Sequence, residues 1–255
     1  MRCAPRANAR ALPHLDRLHH DKGHDPIEQG RRLPPRVYIE RAEEVLDAFG
    51  ALWAAVKYAT RQPGLASWFR EWADLEEQAI TLHTYECRVV PGLLQTDGYA
   101  RAVIWSVPPL PTEEQVEQRV AARLARQELL STRREPPTAF SFIIEQAVLE
   151  RHTGGEDVTR ELIDHLLAVN DRHWNIELQL MPLRQTQHAG LDGPIQLLET
   201  PENEWFAYSE GQQTGVLISD RKEISLIQQR YAKMRSQALT PEDSVSLLRE
   251  MRGAL

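Results

Sequence analysis

The sequence predicts an α+β protein: a helical N-terminal half, then a mostly antiparallel sheet flanked by helices, ending in two helices. Three observations carry this reading. Apolar residues recur at three- and four-residue spacing through much of the first half. After Pro136-Pro137, short β-branched and aromatic runs replace that spacing. From Arg221 onward the helical period returns. Helices first and strands later is the α+β order.

The elements follow in turn. Residues 1–34 hold Pro5, Pro13, Pro26 and Pro34 and no sustained apolar stripe, so they read as a mobile arm. From Val37 to Val56, Ile39, Ala42, Val45, Leu46, Phe49, Leu52 and Trp53 fit one amphipathic helix, which Gln62-Pro63-Gly64 interrupts. Ser67 is placed to cap a second helix, with Trp68, Trp72, Leu75, Ala79 and Leu82 on its buried face. Val89-Val90 and a Pro91-Gly92 turn lead to an N-cap at Thr96 or Asp97 and a helix carrying Tyr99, Ala102 and Val103. Thr112 with Gln115 has capping-box spacing and opens a helix that runs to about Arg134, burying Val116, Val120 and Leu124. Strands are predicted at 140–144, 176–181, 194–198, 205–208 and 215–218, with a helix over 157–169 between the first two. The closing helices span 221–238 and 241–251, the second with Thr240 as N-cap and Pro241 in the first turn.

Composition narrows the function classes. The 255 residues are 42% hydrophobic and 26% charged, ordinary for a globular chain with a substantial core. No run approaches the roughly 18 apolar residues of a membrane helix, and no apolar segment follows the N-terminal arginines to make a secretory signal. Cys3 and Cys87 lie far apart with no CxxC, so neither a disulfide framework nor a metal knuckle is expected, and a reduced, cytoplasmic setting is. The net charge is −7, unevenly spread: residues 1–36 hold eight Lys/Arg against four Asp/Glu, and the rest hold 22 against 33. Affinity for nucleic acid rests largely on cations, so any DNA contact is expected near the N-terminus.

Trp68-Phe69, Leu75-Glu76, Ala79, Tyr85-Glu86, Val90-Pro91-Gly92-Leu93-Leu94-Gln95-Thr96 and Tyr99-Ala100-Arg101-Ala102 form a recognisable series. Arg123, Arg126-Gln127, Glu145, Leu178-Gln179-Leu180-Met181-Pro182, His188-Ala189-Gly190, Tyr208-Ser209-Glu210 and Gln237-Ala238-Leu239 continue it. Over residues 37–253 the chain resembles an actinobacterial family of antitoxin-like transcriptional regulators. Members of that family carry an Xre-type helix-turn-helix followed by a C-terminal domain of uncharacterised function. The resemblance implies transcriptional control, often beside a gene for a very small partner protein. At the DNA-binding end, only Ile27-Glu28-Gln29-Gly30-Arg31-Arg32 resembles the family, as the last turn of the reading module. The expected organisation is therefore a basic arm over 1–34, a remnant of the helix-turn-helix, and an α+β regulatory or partner-binding domain over 35–255. DNA binding is expected to be weak or lost in this copy.

Candidate residues divide by chemistry. Arg31, Arg32 and Arg36 read as phosphate contacts or as a solvated basic turn. Arg119, Arg123, Arg126 and Gln127 form a stripe on one helix; guanidinium forks suit carboxylates or phosphates. The stripe reads either as an ion network with Glu145 or Glu210 or as a site for an anionic ligand or partner segment. Tyr99 and Arg101 join it as candidate ligand- or partner-binding residues. Glu76, His83 and Glu86 sit at helical spacing and read as a helix-surface network rather than an acid–base pair. His14, His19, His20 and His24 lie in the arm without the fixed geometry a metal needs. The six tryptophans read mainly as core. No GxSxG, HExxH, P-loop or GxGxxG motif is present, so neither catalysis nor a cofactor is expected. The predicted partners are a small protein encoded nearby, a second copy or an intact relative as dimer mate, and DNA only weakly. The alternative is a small-ligand-binding protein or an enzyme that has shed its DNA module.

Overall fold

The computed structural model describes residues 36–46, 48–52, 69–131, 135, 137–211 and 215–255. The chain divides into two compact units, residues 1–61 and 62–255, and each is described by itself. Arg31, Arg32, the histidines of the arm, Trp53, Trp68 and the boundary expected at 34/35 lie outside the described residues.

In the first unit, helix α1 spans Arg36–Leu46, with Arg36 as its first residue and that side chain outside the description. The helix expected to run from Val37 to Val56 stops there. Phe49 and Gly50 take left-handed φ of 50° and 89°, a conformation that ends a helix. Glu43 Oε2 accepts from the Gly50 N–H at 2.7 Å. Phe49 consequently leaves the apolar stripe and is 91% exposed.

The second unit orders its elements as α2 (Arg70–Glu76), β1 (Thr81–Glu86), a 3-10 turn (Gly92–Leu94), α3 (Asp97–Trp105), α4 (Glu113–Arg126) and α5 (Glu128–Ser131). Then come β2 (Ala139–Glu145), α6 (Gln146–Glu150), α7 (Glu156–Arg172), β3 (Ile176–Met181), β4 (Ile195–Glu199), β5 (Trp205–Glu210), β6 (Gly215–Ile218), α8 (Arg221–Gln237) and α9 (Pro241–Ala254). One six-stranded sheet in the order β3-β2-β1-β4-β5-β6 organises them. The three pairings β1–β4, β4–β5 and β5–β6 are antiparallel. β1–β2 and β2–β3 are parallel, because helical segments long enough for a crossover separate those strands. The fold is α+β, with a mostly antiparallel sheet flanked by helices and two helices at its end.

Two expectations are corrected. The helix predicted from Ser67 through Leu82 ends at Glu76, and Thr81–Glu86 is a strand at the centre of the sheet. Its neighbours bury it on both faces, so it lacks the alternation that marks a half-exposed strand. The helix predicted to Arg134 ends at Arg126, and the short α5 takes the chain to Ser131. Among the tryptophans, Trp72 is fully buried, whereas Trp174 is 85% exposed and Trp105 39%.

Alternation of side chains along the strands sorts the core. On one face Leu82, Phe140, Phe142, Ile144, Leu178 and Leu180 meet Leu162, Ile163 and Leu166 of α7 and Leu248 of α9. Further across that face, Leu198 and Tyr208 lie against Phe69, Trp72 and Ala73 around α2. On the opposite face Tyr85, Ile143, Met181, Leu197 and Ala207 meet Ile224, Tyr231 and Met234 of α8. The turn into α9 also ties down the outer strand: Leu239 N–H donates to the Leu180 carbonyl, and Leu180 N–H donates to Ser244 Oγ, both at 2.9 Å.

Local signals fix the helix starts. Thr96 caps α3, and Thr112 with Gln115 forms the complete capping box of α4. Thr240 caps α9, with Pro241 in its first turn. Packing outweighs capping in energy. Leu166→Ala, at a fully buried position, is expected to lower unfolding free energy by about 2–5 kcal/mol. Thr112→Ala is expected to lower it by about 1 kcal/mol. Urea unfolding of the two variants against the parent checks the ranking.

Candidate functional site

Helix α4 divides the arginine stripe. Arg119 faces solvent, while Arg123 and Arg126 turn inward. Arg126 grips Glu76 of α2 as a two-pronged fork, Nε to Oε2 at 3.0 Å and Nη2 to Oε1 at 2.9 Å. The Glu76 side chain is only 3% exposed and that of Arg126 17%. The guanidinium also lies over the Phe69 ring, 4.6 Å from its centroid. Gly92 leaves room for it: a Cβ there would stand 3.4 Å from Arg126 Nη1.

Gln95, at the end of the Pro-Gly turn, is the second hub. Its amide donates to the Val90 carbonyl at 2.6 Å, and its side-chain oxygen accepts from Arg123 Nη1 at 3.1 Å. The Gln127 amide donates to its backbone carbonyl. Burial holds the Arg123 guanidinium below its ordinary value; the Arg126 charge adds to this and Glu210 opposes it.

Beneath these groups, the sheet carries polar side chains between its two apolar patches. Thr84, Gln196 and Tyr208 form one cross-strand row, and Glu86 and Glu210 project from the same face one step further along β1 and β5. Tyr208 stacks on Trp72 with ring centroids 5.5 Å apart, and Phe69 meets it edge-on. Three buried atoms here find no hydrogen-bond partner in the protein: Glu86 Oε2, Tyr208 Oη and Trp72 Nε1. Each belongs to a residue no more than 6% exposed. Burial pushes the Glu86 carboxyl up to about 7; Arg88 opposes this, Glu210 adds to it, and the backbone N–H groups of Cys87 and Arg88 favour the charged form. Burial, with Glu210 again adding, also raises the Tyr208 phenol.

The remaining predicted residues sit elsewhere. Tyr99 is buried, its hydroxyl accepting from the Val90 N–H at 3.1 Å. Arg101 bridges α3 and α4 on the surface, pairing with Asp97 at 2.6 Å and with Glu117. Glu145 projects from the opposite face of the sheet, two residues along from Ile143. It therefore does not meet the arginine stripe. Glu145 Oε1 accepts from Tyr85 Oη and contacts His188 Nε2, each at 2.7 Å. The Gly190 N–H donates to His188 Nδ1 at 2.9 Å, so a neutral ring carries its proton on Nε2, toward Glu145. With both nitrogens engaged, this ring clamps the loop before β4. Gly190 is obligatory there, since a Cβ would come 2.5 Å from the Tyr85 ring.

His83 also lies on that opposite face, stacked on Tyr231 at 4.8 Å. Burial, reinforced by Arg235 and opposed by Glu177, lowers it to about 4. Glu76, His83 and Glu86 thus do not form the helical cluster their spacing suggested. Burial also raises the Cys87 thiol, away from nucleophilic activation. The sequence points to Glu76 only as part of a helix-surface network, to Trp72 only as core and to Gln95 only as part of the turn, because only the fold brings them beside α4.

Residues 69–250 match a domain of unknown function, DUF5753. The chain belongs to the DUF5753 family. No curated protein matches the chain, and no solved structure does. The match takes in α4, the Pro91–Thr96 turn and every strand, so the polar site lies wholly within the family domain. Among the described residues, no helix is long and apolar enough to cross a membrane, and no group of three or more His, Cys, Asp or Glu is placed to hold a metal ion.

Arg126→Ala is expected to destabilise by about 3–5 kcal/mol, because it leaves the Glu76 charge buried and alone. Replacing both partners, Glu76→Leu with Arg126→Met, is expected to recover much of that loss. Chemical denaturation of the single and double variants measures the difference. Glu86 supplies a pH signature. Its folded value of about 7 exceeds the ordinary 4.5, so the folded state holds the extra proton and stability falls as pH rises through that window. The contribution is about 3 kcal/mol across the window. The difference in melting temperature between Glu86→Gln and the parent should therefore grow in favour of the variant from pH 4.5 to 7, a range set by the same two values.

Proposed function

We propose that this DUF5753 domain is a non-catalytic sensing module of an antitoxin-like transcriptional regulator. It responds to a small ligand or a small partner protein, and DNA binding is weak or lost in this copy. The observation that supports sensing best is the trio of buried, unpartnered polar atoms on Trp72, Glu86 and Tyr208 beneath α4. A buried polar group without a partner is costly, and binding sites are where such groups acquire a use. Two reactive side chains among the described residues fit the same role: burial raises the Cys87 thiol, and both His188 nitrogens are engaged. The regulator assignment leans on the Pro91–Thr96 and Tyr99–Ala102 strings, and the acidic body against a basic N-terminal stretch supports weak DNA contact.

Fluorescence anisotropy with DNA from upstream of the gene, against a scrambled duplex at several salt concentrations, tests the DNA part. The expected result is weak binding, equal for both duplexes and lost steeply with salt. Tight preference for the native duplex overturns the loss of DNA reading. Co-purification with the small protein encoded nearby, or mixed dimers with an intact relative, tests the regulatory part. No complex with either, together with turnover of a small molecule, overturns it in favour of an enzyme.

A further inference from the structure

We propose that residues 182–194, between β3 and β4, form an acid-released strap with His188 as its trigger. A second proton on this ring breaks its bond to Gly190 and lifts the backbone there off Tyr85. The device is independent of the sensing role and needs no ligand.

The sheet order places β2 and β1 between β3 and β4. Residues 182–194 therefore cross the end of the sheet at which β2 and β1 finish, beside Tyr85 and Glu145. On the α8 side, groups that do not titrate hold the strap. Gln237 Nε2 donates to the Gln187 carbonyl at 2.8 Å, and Gln237 Oε1 accepts from the Ala189 N–H at 3.0 Å. Gln185 Nε2 donates to the Gln237 carbonyl at 2.8 Å.

On the sheet side the tie is His188. Glu145 Oε1 receives both Tyr85 Oη and His188 Nε2, so Nε2 carries the ring's proton. The Gly190 N–H points at Nδ1, which is then the bare nitrogen. The only place for a second proton is Nδ1, where it faces the Gly190 N–H across 2.9 Å, donor against donor. The same proton turns the contact with Glu145 into a charge-assisted one. The imidazolium accordingly stays on Glu145, and the bond that yields is the one to Gly190. Gly190 rests on the Tyr85 phenol, where a Cβ would stand 2.5 Å from the ring, and Tyr85 is 1% exposed. Release at Gly190 uncovers that phenol while Gln237 keeps the neighbouring backbone in place.

The other titratable and charged groups around the strap are Tyr85 and Cys87 at the end of β1, Glu145 of β2, Arg184, and the Asp192–Arg230 pair that joins strap to α8 at 3.1 Å. Burial, with Glu145 adding, raises the Tyr85 phenol, and burial raises the Cys87 thiol, so both move away from the range in which an imidazole titrates. His83, lowered to about 4, lies further along the same face of β1. Glu86, pushed up to about 7, projects from the opposite face.

The test follows the full chain by two-dimensional NMR through the titration of the His188 ring, whose nitrogen shifts report both tautomer and charge. The neutral ring is expected to carry its proton on Nε2. Hydrogen exchange of the Gly190 amide is then compared on either side of that titration, corrected for the intrinsic effect of pH on exchange. Its protection should fall by about tenfold as the ring charges, the scale of one lost hydrogen bond. The Ala189 amide, held by Gln237, should keep its own. His188→Asn leaves an acceptor for Gly190 but no group that titrates, and should make Gly190 protection independent of pH. If that variant fails to fold, Glu86→Gln serves: it removes titration on the opposite face and should leave the fall at Gly190 intact. A neutral ring protonated on Nδ1, or Gly190 protection unchanged as the ring titrates, overturns the proposal. So does joint loss at Gly190 and Ala189, or a fall that persists in His188→Asn or vanishes in Glu86→Gln.

Discussion

Arg126 and Glu76 meet as a fork, and two segments are tied by it, α2 through Glu76 and α4 through Arg126, with Gly92 of the Pro-Gly turn leaving space beside the guanidinium. Burying two charges is costly, and Coulomb attraction offsets that cost only when the geometry is good and the remaining polar atoms are bonded. Here the geometry is bidentate, and an aromatic face supports the guanidinium. The pair joins elements separated by 50 residues in sequence, so it needs α2 and α4 brought together by the fold. It therefore selects one arrangement of helices over the apolar face, which non-directional hydrophobic contact alone does not.

The central strand carries an electrostatic tension. β1 sends Thr84 and Glu86 to one face and His83 and Tyr85 to the other. Burial raises Glu86 and lowers His83, so both lean toward their neutral forms. Those choices act on stability in opposite directions: acid relieves Glu86 and penalises His83. A strand this polar at the middle of a sheet is unusual on packing grounds alone. Tyr231 of α8 stacks on His83 on one face, whereas on the other Glu86 keeps one oxygen without a partner in the protein.

Local chemistry was legible, and distant pairing was not. The caps at Thr96, Thr112 and Thr240 are readable because a cap needs only residues within one turn. Strands β3 and β6 carry enough apolar and β-branched residues to stand out. β1 did not, since Leu82, Tyr85 and Glu86 are buried on both faces, and a helix reaching from Ser67 through Leu82 absorbed its start. The arginine stripe was visible from its spacing on α4, but its partners were not. Glu145 and Glu210 were the candidates, yet strand alternation turns Glu145 away, and the acid that answers Arg126 sits on α2. Gln95 gave no warning of its role as a hub, because nothing in Leu93-Leu94-Gln95-Thr96 distinguishes a side chain that bonds both Val90 and Arg123 from one that only closes a turn.

The bonds that Leu239 and Ser244 make to Leu180 have a consequence for self-association. β3 is the outer strand of the parallel half, and an open outer strand is a template for foreign strands and for aggregation. At Leu180 both outward-facing backbone groups are already taken. Residues 239–255 thus act as a guard rail along the sheet's rim, and a chain shortened before Leu239 bares a hydrophobic strand whose neighbours Leu178 and Met181 are otherwise hidden. The last helix covers the rim of the sheet as much as it completes the core.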